Sequence, residues 1–433
     1  MRGMLLAGAG VMALCGMESA PRAQSTEQQP LQRQIDELRR LLNQQQRMII
    51  QQQQTIGQQQ QTIGDLQTRV GSLQGQQADI QQQAQETRQR VVDKPLIASS
   101  NPRMRVTLSG QVDRLLNLAD DGKNTKAYFV DNNVSVSRLR FVATGQVTDD
   151  FSIGTNLELA ISPNNSGDVS QVNEDGSQKD EFRKVEAVFK SKKFGEIDFG
   201  KGDPATKDIA KLDLSGTDVL AYASTGDPAG GLLFRTKDSE ELTTTDIGDV
   251  FTDFDAGRTN RIRYDTPKFY GAFASASYGA DQKWGVATRW AGVGHGLKAT
   301  AGAGIQDPSK DGVDVVYAGS ASFLHEATGL NLTYGTALQQ QDEGTGQLQY
   351  VTAGWQHDFV PLGSTAFSID FGLDKDTPGD GDEGRTVGLV ALQNLTDYGT
   401  ELFAGFRSYD FDDGDGPNTS TIYVGTAGTR VKF

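Results

Sequence analysis

Residues 137–145 read Ser-Arg-Leu-Arg-Phe-Val-Ala-Thr-Gly, and residues 151–161 read Phe-Ser-Ile-Gly-Thr-Asn-Leu-Glu-Leu-Ala-Ile. In the first run Leu139, Phe141 and Ala143 share one face, while Arg138, Arg140 and Thr144 share the other. In the second, Phe151, Ile153, Leu157, Leu159 and Ile161 alternate with Ser152, Asn156 and Glu158. A period of two is the signature of a strand with one apolar and one polar face. Only the tight turn 146–150 separates the two runs.

The same alternation continues to Phe433 and yields sixteen candidate strands. They lie at 104–118, 134–146, 150–162, 181–191, 195–201, 257–266, 269–279, 282–292, 296–305, 313–325, 328–338, 347–358, 363–373, 385–395, 398–409 and 419–433. Gaps after odd-numbered strands tend to be long and acidic, as at 162–180, 374–384 and 410–418, with a short exception after the seventh. Gaps after even-numbered strands are tight, as at Pro267-Lys268 and 294–296. Long loops on one side and short turns on the other is the asymmetry of an outer-membrane β-barrel. A soluble Greek-key sandwich has no reason for it. The expected fold is therefore an all-β transmembrane barrel of sixteen antiparallel strands, closed between the first strand and the last, with both ends on the periplasmic side.

Composition fits this. The chain has 433 residues, 50 Gly and 36% hydrophobic residues, low for a soluble domain. No run of 18 apolar residues is present, so a helical membrane span is excluded. A net charge of −15 argues against nucleic acid as a partner. One Cys and three scattered His (His295, His325, His357) argue against a disulfide framework, a metal centre or a catalytic triad. We expect no cofactor, no metal and no enzymatic activity.

Two segments precede the barrel region, 95–433. Arg2, an apolar run from Met4 to Met17 and Ser19-Ala20-Pro21-Arg22-Ala23 read as a signal peptide over 1–23. Cys15 within it follows Leu14, where lipidation would need a small residue. Over 24–94, Ile35, Leu42, Ile49, Ile56, Ile63 and Val70 recur every seventh residue, and Leu38, Leu66, Leu73 and Ile80 mark a second column three residues on. These are the a and d columns of a coiled coil, rich in Gln and periplasmic by the barrel's topology. The other reading of this composition is a flexible polar linker. Asp93-Lys94-Pro95 ends the helix. Ile at a and Leu at d favours two strands, although the Gln layers weaken that preference.

Three patches resemble the general porins of Gram-negative bacteria. They are Ser137–Phe141; Phe182-Arg183-Lys184-Val185-Glu186-Ala187-Val188-Phe189, running on to Phe194–Lys201; and Arg258-Thr259-Asn260-Arg261-Ile262-Arg263-Tyr264-Asp265-Thr266-Pro267. The resemblance covers about 104–433 and adds a terminal Phe433, the signal by which the barrel-assembly machinery recognises such chains. The N-terminal coiled coil is similar to that of DcaP-like porins. The resemblance implies a homotrimer in outer-membrane lipid and lipopolysaccharide, with a loop folded into each pore as a constriction. The longest gap, 202–256, stands where that loop belongs and carries Asp203, Asp208, Asp213, Asp218 and Asp227. Its distal half, Arg235 to Asp255, is long enough to cover the mouth. Arg138, Lys201 and either Arg258 or Arg261 match the family's basic wall. Alternation adds Arg140, Lys184, Arg263 and Arg289 to the lumen face. Opposed charges across a narrow aqueous gap create a transverse field that favours polar solutes.

The acidic loops holding Asp374–Glu383 and Asp410–Asp415 lack a calcium-loop spacing and read as solvated. Two functions follow: a diffusion porin for small hydrophilic solutes, selective for anions such as dicarboxylates if its basic wall prevails, and a tether joining the outer membrane to peptidoglycan through the coiled coil. The sign of the selectivity stays open at this level.

Overall fold

The computed structural model describes residues 99–433 other than 177, 178, 311 and 343. These belong to the unit Leu96–Phe433. The expected signal peptide and coiled coil lie outside the described residues.

Seventeen strand segments form one antiparallel sheet that closes on itself. β1 (Met104–Asp120) is the long closing strand. Its Gln111–Asp120 stretch pairs with Tyr423–Lys432 of the last strand, β19 (Ile422–Lys432). On its other edge β1 pairs in tandem with β2 (Thr125–Asp131) and β3 (Arg138–Gln146). β2 and β3 thus occupy one position in the wall, which makes a barrel of sixteen. The wall continues through β4 (Phe151–Ser162), β5 (Lys179–Ser191) and β6 (Gly195–Gly202). After the long loop it resumes with β9 (Thr259–Asp265), β10 (Ala272–Gly279), β11 (Trp284–Gly294), β12 (Leu297–Asp307), β13 (Val313–His325) and β14 (Leu330–Gln341). β15 (Thr345–Val360), β16 (Gly363–Lys375), β17 (Glu383–Leu395) and β18 (Thr400–Asp412) complete it before β19. Inside the loop sits a small hairpin, β7 (Leu233–Arg235) and β8 (Leu242–Asp246).

The second strand departs from expectation. It was placed at 134–146, but Val134–Ser137 lie outside any strand, while 125–131, read as loop, is paired. The cause is Asp131-Asn132-Asn133. The Asn132 amide oxygen accepts the Val134 N–H at 3.0 Å, a local turn that competes with the ladder. The segment between β2 and β3 leaves the wall and points its polar groups inward.

Alternation sorts the faces by solvent. Ile369 and Leu389 are 53% and 52% exposed, and they look out to lipid; inward-facing Thr352, Ser322 and Thr386 are 0% exposed. The turns on the short side use the expected chemistry. His295 and Gly296 both have positive φ, 53° and 76°, the two-residue pattern whose twist matches that of paired strands. We expect Leu389→Arg to destabilise the barrel by about 2–4 kcal/mol, because a guanidinium would face hydrocarbon. Urea unfolding in lipid vesicles measures it, and Asn394→Arg, on an inward position near the short-turn end, should cost far less.

Candidate functional site

The segment from Asp203 to Arg258 does not hang outside the barrel. It enters at the end of β6 and runs around the inner wall. The Ala205 N–H donates to Ser277 Oγ on β10 at 2.9 Å, and the Leu212 and Leu214 N–H groups donate to Ser320 and Ser322 on β13 at 3.2 and 2.9 Å. Gln356 of β15 donates to the Leu214 carbonyl, and Thr217 meets Ser368 of β16 at 2.8 Å. The tip then reaches the opposite wall. Asn132 donates to the Val219 carbonyl at 2.9 Å, Asn117 to Pro228 O at 2.7 Å, and Tyr409 to Thr225 O at 2.9 Å. Hydroxyl and amide side chains of the lumen face satisfy a backbone that would otherwise be buried without partners.

Behind this polar stitching lies an apolar core. Val219, Leu220, Leu232, Phe234, Ile247, Val250 and Phe251 from the loop pack against Leu115, Val130, Val390, Leu392, Phe403, Tyr409, Phe411, Ile422 and Val424 of the wall. A second cluster joins Ala210, Ala223 and Phe254 to Val316, Ala337, Leu348 and Tyr350. The contact is close enough to require glycine in the wall: a Cβ at Gly384 would lie 2.4 Å from Val250, and one at Gly335 would lie 2.4 Å from the Ala210 carbonyl. The distal half, Arg235 to Asp255, packs inward and is tied to the wall. Arg235 pairs with Asp121 at 2.7 Å, and Thr236 bridges to Thr419.

The basic residues divide into two groups. Arg261, Arg263 and Arg289 hold the loop's first limb by its main chain. Arg261 Nε donates to Asp203 O at 2.9 Å, Arg263 to Pro204 O at 3.0 Å, and Arg289 to Ala205 O and Lys207 O at 2.9 and 2.6 Å. Arg261 is also paired with buried Glu186 at 2.6 Å, and Arg263 with Asp265 at 2.9 Å. Lys184 and Arg258 both pair with Asp203, the latter at 2.8 Å. Burial alone would raise the Asp203 carboxyl, but these cations outweigh it and hold it down to about 2.

The second group surrounds Glu158, which is 1% exposed. Arg140 pairs with one of its oxygens and Arg183 with the other at 2.7 Å. Arg138 donates to Gln111 at 3.3 Å and stands within electrostatic reach of the same carboxylate. Arg183 was not foreseen. Strict alternation turns it to lipid, but a bulge between Glu158 and Leu159 in the β4–β5 pairing leaves it outside the register, and it joins Lys184 on the lumen side. Lys201 pairs with Glu181 of β5 at 2.9 Å.

The loop carboxylates have varied surroundings. Asp203 meets the wall cations. Asp208 sits 3.6 and 3.7 Å from Lys207 and Lys211 of its own limb. Asp213 accepts from Ser215 N at 3.0 Å and from Thr333 at 2.5 Å. Asp218 is exposed, within electrostatic reach of Arg430. Asp227 accepts from Tyr222 and, at 2.7 Å, from Asn133. Across the barrel Arg407 forms a two-pronged pair with Asp370 at 2.6 and 2.9 Å, a buried link that alternation could have flagged and charge counting alone could not. Phe433 exchanges backbone bonds of 2.9 and 3.0 Å with Gly110. Its ring lies where a Gly110 Cβ would stand, 2.6 Å away.

Residues 82–414 match the model of the Gram-negative porin family. The chain belongs to that family. Its barrel sits in the outer membrane and forms a porin channel. Among solved structures, this porin is similar to the loop L8 deletion mutant of OmpT from Vibrio cholerae, at 14% identity and a TM-score of 0.51, over 76% of this chain and 100% of that one. It is similar to the anion-selective porin from Comamonas acidovorans at 15% identity and a TM-score of 0.50, again over 76% and 100%. The outer membrane channel DcaP of Acinetobacter baumannii matches at 10% identity and a TM-score of 0.48, over 78% and 99%. No curated protein matches the porin described here.

Proposed function

We propose that this porin passes small hydrophilic solutes through a slot on the β3–β5 side of the lumen, with a preference for anions. One observation carries the reading: three guanidiniums, Arg138, Arg140 and Arg183, share the single carboxylate of Glu158, and Arg140 keeps 39% of its side chain accessible. Two uncompensated positive charges on a wet wall concentrate anions and repel cations. Asp208 and Asp218 supply the exposed opposite sign from the loop. Lys184, Arg261, Arg263, Asp203, Asp213 and Asp227 act chiefly by holding the constriction in place, whereas Lys201 pairs within the wall. The test is single-channel recording in planar bilayers across a tenfold salt gradient. A reversal potential of cation sign at low ionic strength defeats the anion preference, and no conductance at all defeats the slot.

Assembly belongs to the same proposal. The family resemblance supports a homotrimer, and the heptads of 24–94 support a three-stranded periplasmic coiled coil behind a signal peptide at 1–23. Such a coil, about 95 Å long for roughly 64 helical residues at 1.5 Å each, has the reach to contact peptidoglycan. Cross-linking that stops at a dimer contradicts the trimer. Unchanged spacing between membrane and cell wall on deleting 24–94 contradicts the tether.

A further inference from the structure

The two limbs of the loop are joined by an ion cluster that no sequence motif announces. Lys207 pairs with Asp255 at 2.6 Å. Lys211 pairs with Asp253, lies 3.2 Å from Asp255 and 3.7 Å from Asp208, and stacks 5.2 Å over the Tyr222 ring. Asp253 also accepts from Ser224, and its other oxygen accepts the Asp255 N–H at 2.8 Å. Tyr222 passes the network on to Asp227, whose second oxygen is held by Asn133 of the broken wall strand at 2.7 Å. The cluster therefore connects the start of the loop, its end, its tip and the barrel wall.

Its charges do not balance. Even with exposed Asp208 set aside, the three carboxylates of Asp227, Asp253 and Asp255 face two ammonium groups, those of Lys207 and Lys211. The packed elements alter this little. From β11, Arg289 spends its guanidinium on the Ala205 and Lys207 carbonyls. From β12, Gln306 donates to Phe254 O at 3.0 Å. From β16, Asp374 stands near Thr252 and adds a further carboxylate. From the β4–β5 loop, Ser166 donates to the Asp227 carbonyl at 2.7 Å. Like charges in a space closed to water cannot all remain ionised, so such a cluster takes up protons as it forms.

We propose that this cluster is a proton-dependent lock on the constriction loop, which tightens the tip against Asn133 in mild acid and loosens it as pH rises. The direction follows from linkage. Burial pushes the Asp227 and Asp255 carboxyls up, so the docked tip binds protons that the released tip does not. Docking then strengthens as pH falls from their raised values towards the ordinary carboxylate value, about 3.9. Burial would also raise Asp253, but Lys211 and Lys207 outweigh it and hold it low. Its ion pair is present above about pH 3.9 and fails only in strong acid. The lock is therefore tightest in mild acid and weaker on either side.

The experiment is single-channel recording of the full-length protein in 1 M KCl, which screens exposed charges to about 3 Å. Conductance and open-channel noise are compared at pH 8 and pH 5. We expect the wild type to conduct roughly twofold more, and more noisily, at pH 8, as the docked population shifts. Asp227→Asn with Asp255→Asn removes both raised carboxyls and keeps their shape. It should show the low, quiet acid-level current at both pH values. Heat-modifiable migration on gels verifies that the barrel is folded, and the single Asp255→Asn variant serves if the double does not fold. A pH-insensitive wild type overturns the lock, and so does a folded variant that keeps the wild-type ratio. Ion selectivity, read in the same bilayers, tests the slot independently, since Arg138 and Arg140 are untouched.

Discussion

Arg138→Gln combined with Arg140→Gln is expected to abolish the anion preference proposed for the channel. Arg183 remains to neutralise Glu158 at 2.7 Å, so the cluster falls from a net charge of +2 to zero without leaving a buried carboxylate unpaired. An ion about 4 Å from a unit charge in a water-like medium feels about 1 kcal/mol, or about fivefold in the local concentration of each ion per charge removed. The reversal potential in a dilute salt gradient should move to the cation side, because the loop keeps Asp208 and Asp218. The shift should shrink at 1 M salt, where the screening length is about 3 Å. Either single variant should produce roughly half of it. A double variant with the wild-type reversal potential at low salt would show that permeating ions do not pass this wall.

Arg261→Ala is expected to act mainly on stability and loop position. Its guanidinium lies 2.6 Å from Glu186 and 3.7 Å from Asp198, and its Nε holds the Asp203 carbonyl. Removing it leaves buried Glu186 with only the Asn156 amide, at 3.1 Å. Breaking one side of a buried pair costs about 3–5 kcal/mol. Urea unfolding in detergent should show a loss of that size, and bilayer recordings should show a larger, more fluctuating current as the first limb of the loop loosens. Glu186→Gln added to Arg261→Ala should restore much of the stability, because the orphaned charge is gone. It should not quiet the current, because the hydrogen bond to the loop is still missing. Recovery of both together would mean that Arg261 holds the loop only through the fold.

Taken alone, the sequence determined the barrel. All sixteen wall positions are legible in it, and so is the closure of the first strand on the last, because lipid acts on every strand alike and demands an apolar residue at each second position. Alternation by itself does not mark where a side-chain turn stops a strand from pairing, as at Asn132, or where a bulge turns Arg183 inward. The contents of the lumen were decided only by the tertiary structure. Val219, Phe234, Ile247 and Phe251 follow no period, and they are buried only because the loop that carries them passes inside a closed wall. The same holds for the charges. The loop acids and the wall bases could be named from the sequence, yet their partners are set by distance in space: Asp203 finds Lys184 and Arg258, Asp227 finds Tyr222 and Asn133, and Lys207 finds Asp255, nearly fifty residues on. A lipid-facing side chain answers to a solvent that is the same everywhere, whereas a lumen-facing one answers to whichever residue the fold places opposite.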